Sequence, residues 1–188
     1  MDGMTTVQRM TADEFLALEP HERWRELIDG EVVVNEPSWM HNRSQVRISF
    51  ALEAWIRGAA ARGAIGLPLD VALDERNVYG PDLLWYRDGR VPRLSDLSPY
   101  PIPDLAVEIR SPSTWRYDIG VKKATYERHG VAELWLVDNA ADVVLVFRRS
   151  TVEAPDFDVS EELAADATLT SSLLPGFALP VAEIFAAP

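Results

Sequence analysis

Two short apolar runs, separated by a helical pattern, place the strongest constraint on the fold of this chain. The first run, PDLAVEI, covers residues 103 to 109, and the second, VAELWLVD, covers residues 131 to 138. Between them, WRYDIGVKKATYERHG predicts a helix that ends at Gly130. A strand, a helix and a second strand in this order suit a right-handed crossover between parallel strands. We therefore expect the two runs to be parallel strands of one sheet.

Shorter signals nearer the N-terminus predict a helix and a hairpin. Thr11 and Glu14 have the spacing of a capping box, which opens a short helix that Pro20 closes. Asp29 and Gly30 then form the turn between the two strand-forming halves of RELIDGEVVVNE. The chain is therefore expected to begin with a small helix and a two-stranded hairpin.

The middle of the chain predicts a long helix and further strands. Residues 42 to 62 carry apolar side chains at helical spacing, Val46 and Phe50 among them, and Gly63 ends this helix. Strands are predicted for LPLDVALDE, PDLLWY and DVVLVFRR. Strands before, between and after the helices favour the α/β or α+β class, with a mixed central sheet flanked by helices.

Length and composition limit the class of protein and the kind of metal site. The 188 residues fit one domain, which we place over residues 1–188. The chain has no cysteine and three histidines, so any metal would be held mainly by oxygen, which favours magnesium, manganese or calcium over zinc. No stretch approaches the length of a membrane span, and the N-terminus lacks the apolar core of a signal peptide. The expected compartment is the cytoplasm.

The negative charge argues against a simple nucleic-acid-binding protein. The net charge is −12 and the pI is about 4.6, whereas affinity for phosphate normally comes from clustered lysine and arginine. Metal-binding carboxylates and the acidic segment 154–167 account for part of this charge. A local basic patch can persist within an acidic average, and its candidate residues are Arg110, Arg116, Lys122, Lys123 and Arg128.

Three charged residues on neighbouring elements form the candidate chemical site. Glu108 interrupts the apolar run of its strand, where a carboxylate is costly to bury unless it is paired or bound to a metal. Asp82 stands at the start of PDLLWY, although Pro-Asp is often turn chemistry. Lys122 lies on the helix face shared with Asp118 and Tyr126, although helix lysines are usually solvated. Two carboxylates and a lysine together can hold a divalent cation and activate a water, which is the chemistry of phosphodiester cleavage.

The order of motifs resembles that of a known family. ELIDGE, a histidine before a long helix, PLDV, PDL, VEIRSPST, the lysine helix and LTSSLLPGF follow one another as they do in the Uma-two family of restriction endonucleases. That family belongs to the PD-(D/E)XK nuclease superfamily, and the resemblance extends from about Thr11 to Phe185. It implies a restriction-endonuclease-like core, with the N-terminal helix and hairpin as additions.

The resemblance also implies roles for individual residues. Asp82 and Glu108 would bind the metal, Glu26 would supply a third acidic side chain, and Lys122 would orient the water and neutralise charge in the transition state. The superfamily signature has lysine two residues after this glutamate, where the present sequence has Arg110. Arginine cannot act as a base, so a phosphate-binding role is expected for Arg110. The same role is expected for Lys123, and His41 and Asp70 are accessory candidates.

The function expected from the sequence is that of a DNA endonuclease dependent on Mg²⁺ or Mn²⁺. A non-catalytic module that binds nucleic acid or protein, and a hydrolase of a small phosphate ester, are the alternatives. A homodimer is expected, because cutting both strands needs two sites and the apolar patches of LTSSLLPGFALPVAEIF could form an interface. Asp82→Asn or Lys122→Ala is expected to lower cleavage by about 100-fold or more with little loss of thermal stability.

Overall fold

The computed structural model describes residues 9–18 and 24–187, which form twelve strands and a set of mostly short helices. The strands are β1 (Arg25–Ile28), β2 (Glu31–Val34), β3 (Ala64–Gly66), β4 (Val71–Asp74), β5 (Asn77–Tyr79), β6 (Leu83–Tyr86), β7 (Leu105–Ile109), β8 (Glu133–Asp138), β9 (Val143–Arg148), β10 (Val159–Leu163), β11 (Thr168–Leu169) and β12 (Leu179–Pro180). The helices are α1 (Ala12–Leu16), α2 (Trp39–Arg57), α3 (Trp115–Tyr117), α4 (Lys123–Arg128) and α5 (Val181–Phe185), and a π-helical turn, Asp118–Lys122, joins α3 to α4. The placement of one domain over residues 1–188 stays a prediction.

A six-stranded mixed sheet forms the centre of the protein. Its strand order is β10-β9-β8-β7-β6-β3, and β7 pairs with β8 in parallel from Leu105 opposite Glu133 to Ile109 opposite Val137. The other neighbouring pairs in this sheet are antiparallel. The parallel pair predicted from the two apolar runs is therefore confirmed, as is the mixed sheet flanked by helices.

The N-terminal hairpin belongs to a second, four-stranded sheet of order β2-β1-β5-β4, and the N-terminal helix α1 packs against this sheet. The turn between β1 and β2 has φ of 54° at Asp29 and 80° at Gly30, the two positive values that a type I′ hairpin turn requires. The predicted capping box is present, since Thr11 and Glu14 bond each other's backbone N–H groups at the start of α1. The predicted end of this helix at Pro20 lies outside the described residues.

Both faces of the inner strands β6, β7 and β8 are buried, which explains why these strands read as nearly continuous apolar runs. On one face, Leu105, Val107 and Ile109 of β7 pack in the core that includes α2 and the C-terminal segment. On the other face, Ala106 packs with Leu134 and Tyr126, in the layer between β7 and the helix α4. Glu108 has the same parity along the strand as Ala106, so its side chain enters this second layer.

The limits of the long helix and its buried face differ from the sequence prediction. The helix starts at Trp39, because the Ser38 hydroxyl accepts a hydrogen bond from the His41 N–H, and Gly58 caps its end. Its buried residues are His41, Ser44, Ile48 and Leu52, while Val46 and Phe50 are exposed. The apolar spacing that predicted the helix therefore includes residues that do not face the core, since α2 carries two apolar stripes on opposite sides.

The C-terminal apolar patches also lie elsewhere than predicted. Leu169, Leu174, Phe177, Val181 and Ile184 are buried against the central sheet. Their use as a dimer interface is therefore wrong, because their apolar surface is already covered within the chain.

The predicted helix after β7 is present but kinked. Gly120 has φ of −114° and ψ of −105°, which are not helical values, inside the π-helical turn. Asp118 and Lys122 flank this kink and are both buried. Single π-helical turns often occur at functional sites. No helix in the part of the chain that the structure describes is long and apolar enough to cross a membrane.

Candidate active site

A buried ammonium group surrounded by carboxylates is the most unusual polar feature of the protein. The Lys122 side chain is 1% exposed, and its Nζ lies 2.9 Å from both carboxylate oxygens of Glu26 and 2.8 Å from Oε1 of Glu108. Oδ1 of Asp118 lies 3.1 Å from the same nitrogen. Tyr126 completes the group by donating a 2.6 Å hydrogen bond from its hydroxyl to Oε1 of Glu108. We call these five residues the lysine cluster.

Three separate parts of the fold bring the lysine cluster together. Glu26 comes from β1 of the four-stranded sheet, and Glu108 comes from β7 of the central sheet. Asp118, Lys122 and Tyr126 are spaced four residues apart, so the kinked helix presents them on one side. The cluster thus connects both sheets through one helix.

Asp82 lies next to the lysine cluster. It precedes β6, and the antiparallel register that pairs Leu83 with Val107 makes Asp82 the cross-strand neighbour of Glu108. Oδ2 of Asp82 accepts a 2.7 Å hydrogen bond from the Ile109 N–H, which fixes the carboxylate. The structure therefore brings the side chains of Glu26, Asp82, Glu108 and Lys122 close together between the two sheets and the kinked helix.

His41 faces Asp82 from the first turn of α2. Its Nε2 lies 3.0 Å from Oδ1 of Asp82. This contact is electrostatic, because the two groups lack the alignment of a hydrogen bond. Burial alone would lower the pKa of His41, but the neighbouring Asp82 carboxylate outweighs burial and raises this pKa above 6.5. His41 Nδ1 is buried without a hydrogen-bond partner.

The lysine cluster has more negative than positive charge, and this imbalance shifts the pKa of its members. Burial, together with Glu26, Asp118 and Asp82, raises the pKa of Glu108 well above 4.5 although Lys122 opposes the shift. Burial likewise raises the pKa of Asp118. Burial would lower the pKa of Lys122, but Asp118, Glu108 and Glu26 outweigh it and hold this pKa well above 10.5. Lys122 is therefore an ammonium ion at neutral pH and cannot serve as a base.

A pocket of about 90 Å³ opens beside this region. Its wall includes Glu26, His41, Asp70, Asp82 and Gln45, and Gln45 is held by a 2.8 Å hydrogen bond from its Nε2 to the Asp82 carbonyl. Glu108 and Lys122 do not line the pocket. A ligand in the pocket would thus meet Asp82 and Glu26 first, with Glu108 and Lys122 behind them.

Two of the predicted phosphate-binding residues lie outside the lysine cluster. Arg110 binds both carboxylate oxygens of Asp138, at 2.9 and 2.8 Å, beyond the end of β7. Lys123 lies over the Phe147 ring, with its Nζ 4.6 Å from the ring centroid. Asp70, predicted as accessory, does line the pocket, and burial raises its pKa. The phosphate-binding roles of Arg110 and Lys123 stay predictions.

Sequence reasoning left Asp118 and Tyr126 out of the predicted site. Their spacing of four residues on either side of Lys122 was the available signal, because it places all three on one helix face. Nothing in the sequence, however, shows that the helix kinks at Gly120 or that this face is fully buried.

The carboxylate oxygens of this site are ligands of the type that a hard divalent cation binds. Three carboxylates share one ammonium, and buried Oδ1 of Asp118 has no aligned hydrogen-bond donor. Carboxylate oxygens are the ligands that Mg²⁺ and Mn²⁺ prefer. Among residues 9–18 and 24–187, no three acidic or histidine side chains are grouped so that they could hold a metal ion. Binding by Asp82 and Glu108 would therefore leave coordination positions to water or to phosphate oxygens, as is usual for Mg²⁺.

The raised carboxyl pKa values predict that the metal-free protein loses stability as the pH rises. Above pH 4.5 the unfolded chain has released the Glu108 proton, whereas the folded chain still holds it. The folded state then binds more protons, so the free energy of unfolding falls with pH until the folded pKa is passed. Urea unfolding in EDTA between about pH 5 and about pH 8 measures this slope.

The matched control for this prediction is Glu108→Gln, which keeps the size of the side chain but does not titrate. Its unfolding free energy should depend less on pH than that of the natural protein. Equal slopes in the two proteins would show that Glu108 titrates normally and that the lysine cluster is not strained by its charge.

Comparisons with known proteins identify the family and the fold of the chain. The model of the Uma2 family, described as "Putative restriction endonuclease", matches residues 12–182. A similar solved structure is that of "a putative nuclease belonging to DUF820" from Anabaena variabilis ATCC 29413, with a TM-score of 0.79 and 22% identity, covering 94% of this chain and 98% of that one. At this identity the likeness shows the fold alone. No match was found among curated proteins.

Proposed function

We propose that this chain, which belongs to the Uma2 family, is a DNA endonuclease that hydrolyses phosphodiester bonds with Mg²⁺ or Mn²⁺. The observation that carries the proposal is the lysine cluster. A cluster of three buried carboxylates around one ammonium stabilises a fold less than an apolar core of the same volume does. Stability alone therefore does not account for the lysine cluster. Strongly shifted pKa values beside a pocket are typical of functional sites.

Asp82 and Glu108 are the residues that we propose to hold the cation. They are cross-strand neighbours, and Asp82 also reaches the pocket from which a phosphate would approach. When bound, the cation would stabilise the charge that develops on the phosphoryl oxygens. It would also offset the negative charge that raises the pKa of Glu108, so binding should release protons.

The remaining residues of the site would act around these two carboxylates. Lys122 is a positioning residue in this proposal, because it fixes Glu26 and Glu108 and does not reach the pocket. Glu26 lines the pocket, and its Oε1 also accepts a 2.8 Å hydrogen bond from the Gly80 N–H, so it can orient a water there. His41 has a raised pKa and lies on the pocket wall, where its protonated form would attract a phosphate group.

We propose DNA as the substrate, a homodimer as the active assembly and the cytoplasm as the compartment. Cleavage of both strands requires two sites, which a two-fold dimer supplies. With a net charge of −12, the protein should depend on the divalent cation to hold DNA, so affinity should fall steeply as the salt concentration rises.

The direct test of the proposed function is cleavage of supercoiled plasmid at low salt. We expect nicked and linear products with Mn²⁺ or Mg²⁺ and intact plasmid in EDTA or Ca²⁺, because Ca²⁺ binds oxygen ligands with looser geometry. Single-stranded DNA and a small phosphate ester such as p-nitrophenyl phosphate, assayed in parallel, separate the substrate classes.

Each outcome of this assay decides between the candidate functions. Turnover of the small ester without cleavage of DNA would favour the small-molecule hydrolase. If DNA is bound but never cut with any of these metals, the chain is a binding module and the proposed activity is wrong.

A further inference from the structure

The outward face of α2 carries a regular stripe that no other described element covers. Trp39, Val46 and Phe50 are 71%, 67% and 76% exposed, although they are large and apolar. Single exposed apolar residues are common on protein surfaces, but these three lie on one line along a nineteen-residue helix.

The complete stripe has the spacing of a coiled coil. Its members are Trp39, Arg43, Val46, Phe50, Glu53 and Arg57, which follow one another at intervals of four, three, four, three and four residues. At 3.6 residues per turn they lie within about 40° of one line, on the side of α2 opposite its buried residues. An unbroken alternation of three and four residues is the pattern by which one helix packs against another.

We propose that this stripe is a homodimer interface in which α2 packs antiparallel against α2 of a second copy. With a two-fold axis at the level of Ile48, each residue of the stripe faces another stripe residue on the second copy. Val46 then faces Phe50 of the second copy, and Phe50 faces its Val46. Further out, Arg43 faces Glu53, and at the ends Trp39 faces Arg57.

Charge complementarity supports this arrangement over other occupants. The two-fold axis forms the Arg43–Glu53 pair twice, so two opposite charges meet at each end of the apolar centre. Arg57 would add a cation–π contact with the Trp39 ring of the second copy. A parallel pairing in register would instead place Arg43 against Arg43 and Glu53 against Glu53, which is unfavourable.

The shape of the surface also fits an inserted side chain. A depression of about 260 Å³ is lined by Trp39, Asn42, Arg43, Val46 and Arg47. Residues spaced i, i+3, i+4 and i+7 form the hole that accepts one side chain in helix packing, and Trp39, Asn42, Arg43 and Val46 have this spacing. In the antiparallel arrangement, Phe50 of the second copy lies level with Val46, at one end of this depression.

The size of the stripe sets the expected strength of the dimer. Nineteen helical residues span about 28 Å, and one helix face covers less than the roughly 800 Å² per partner of a stable interface. We therefore expect a dimer that forms and dissociates in the micromolar range. This inference concerns assembly alone, and it does not depend on the proposed cleavage activity.

The experiment is sedimentation velocity of the full chain from about 1 to about 200 µM, with two charge-reversal variants. Arg43→Glu and Glu53→Arg each create two like-charge contacts per dimer, so each should weaken dimerisation about tenfold or more. An equimolar mixture of the two variants should form a heterodimer of natural strength, because every contact then joins opposite charges. The double variant R43E/E53R should dimerise more tightly than either single variant, although it also loses the 2.7 Å ion pair between Arg57 and Glu53 within the helix.

The single variants distinguish the antiparallel pairing from a parallel pairing in register, in which each position faces its own copy and a reversal leaves like charges opposed. Both positions lie on the helix surface, so unchanged thermal unfolding temperatures would confirm that each variant folds. A natural protein that stays monomeric up to 200 µM would overturn the inference, as would a dimer insensitive to either reversal. Single reversals without effect, together with a mixture that dimerises more tightly than the natural protein, would indicate a parallel pairing in register and would also overturn it. Nicking of one strand needs a single site, so it can succeed or fail independently of each of these results.

Discussion

Lys122→Met is expected to lower the free energy of unfolding by roughly 3–5 kcal/mol, because it removes the ammonium group that the buried carboxylates share. Nζ of Lys122 contacts Glu26, Glu108 and Asp118 within 3.1 Å, and the side chain is fully buried. The sequence alone suggested that replacing this lysine would hardly change stability, since helix lysines are usually solvated. Urea unfolding at neutral pH measures the loss.

The chain offers a matched control in the next residue. Lys123→Met removes a lysine from the same helix, but this amine lies over the Phe147 ring and contacts no carboxylate of the lysine cluster. Its cost should stay near 1 kcal/mol or below. The triple variant K122M/E26Q/E108Q should recover most of the loss of K122M, because two of the three carboxyl groups that Lys122 contacts are replaced by neutral amides. If K122M is as stable as K123M, the lysine cluster does not hold the two sheets together.

Asp82→Asn is expected to lower Mn²⁺-dependent plasmid cleavage by about 100-fold or more, equivalent to roughly 3 kcal/mol of transition-state stabilisation. Asparagine keeps an acceptor oxygen for the Ile109 N–H but loses the charge that would hold the cation. The unfolding free energy should change by no more than about 1 kcal/mol, because the change also relieves repulsion from Glu108. Rates of nicking and urea melting curves of the same preparation measure both quantities.

Asp88→Asn is the control, since it removes a carboxylate from an exposed position outside the site. It should cleave plasmid as the natural protein does. A loss of activity in D82N that is matched by an equal loss of stability would mean that Asp82 acts through the fold and not through the cation.

The parts of the fold that local chemistry determines could be predicted from the sequence. The capping box at Thr11, the turn at Asp29 and Gly30, and the parallel strands of the two apolar runs depend on patterns a few residues long. The face of α2 could not be predicted in this way, because both sides of the helix carry apolar residues. Only packing against the sheet selects Ile48 and Leu52 for the core and leaves Val46 and Phe50 exposed.

The candidate site could likewise be predicted only in part from the sequence. Glu108 was identifiable because a carboxylate interrupts a buried strand, and Lys122 because it shares a helix face with Asp118 and Tyr126. Lys122 contacts three carboxylates because β1 approaches it from a different sheet. No local pattern in the sequence encodes this approach. Arg110 was placed by its distance from Glu108 along the chain, yet the end of β8 supplies Asp138 as its partner.

A crystal structure of the protein soaked in MnCl₂ would show whether Asp82 and Glu108 hold the cation. We expect an anomalous difference peak between the carboxylates of Asp82 and Glu108, with Mn–O distances of about 2.1–2.2 Å. The same soak of the Asp82→Asn variant should show no peak at this position. Natural protein in which Asp82 and Glu108 bind no manganese, while the ion occupies other carboxylates or none, would contradict this expectation.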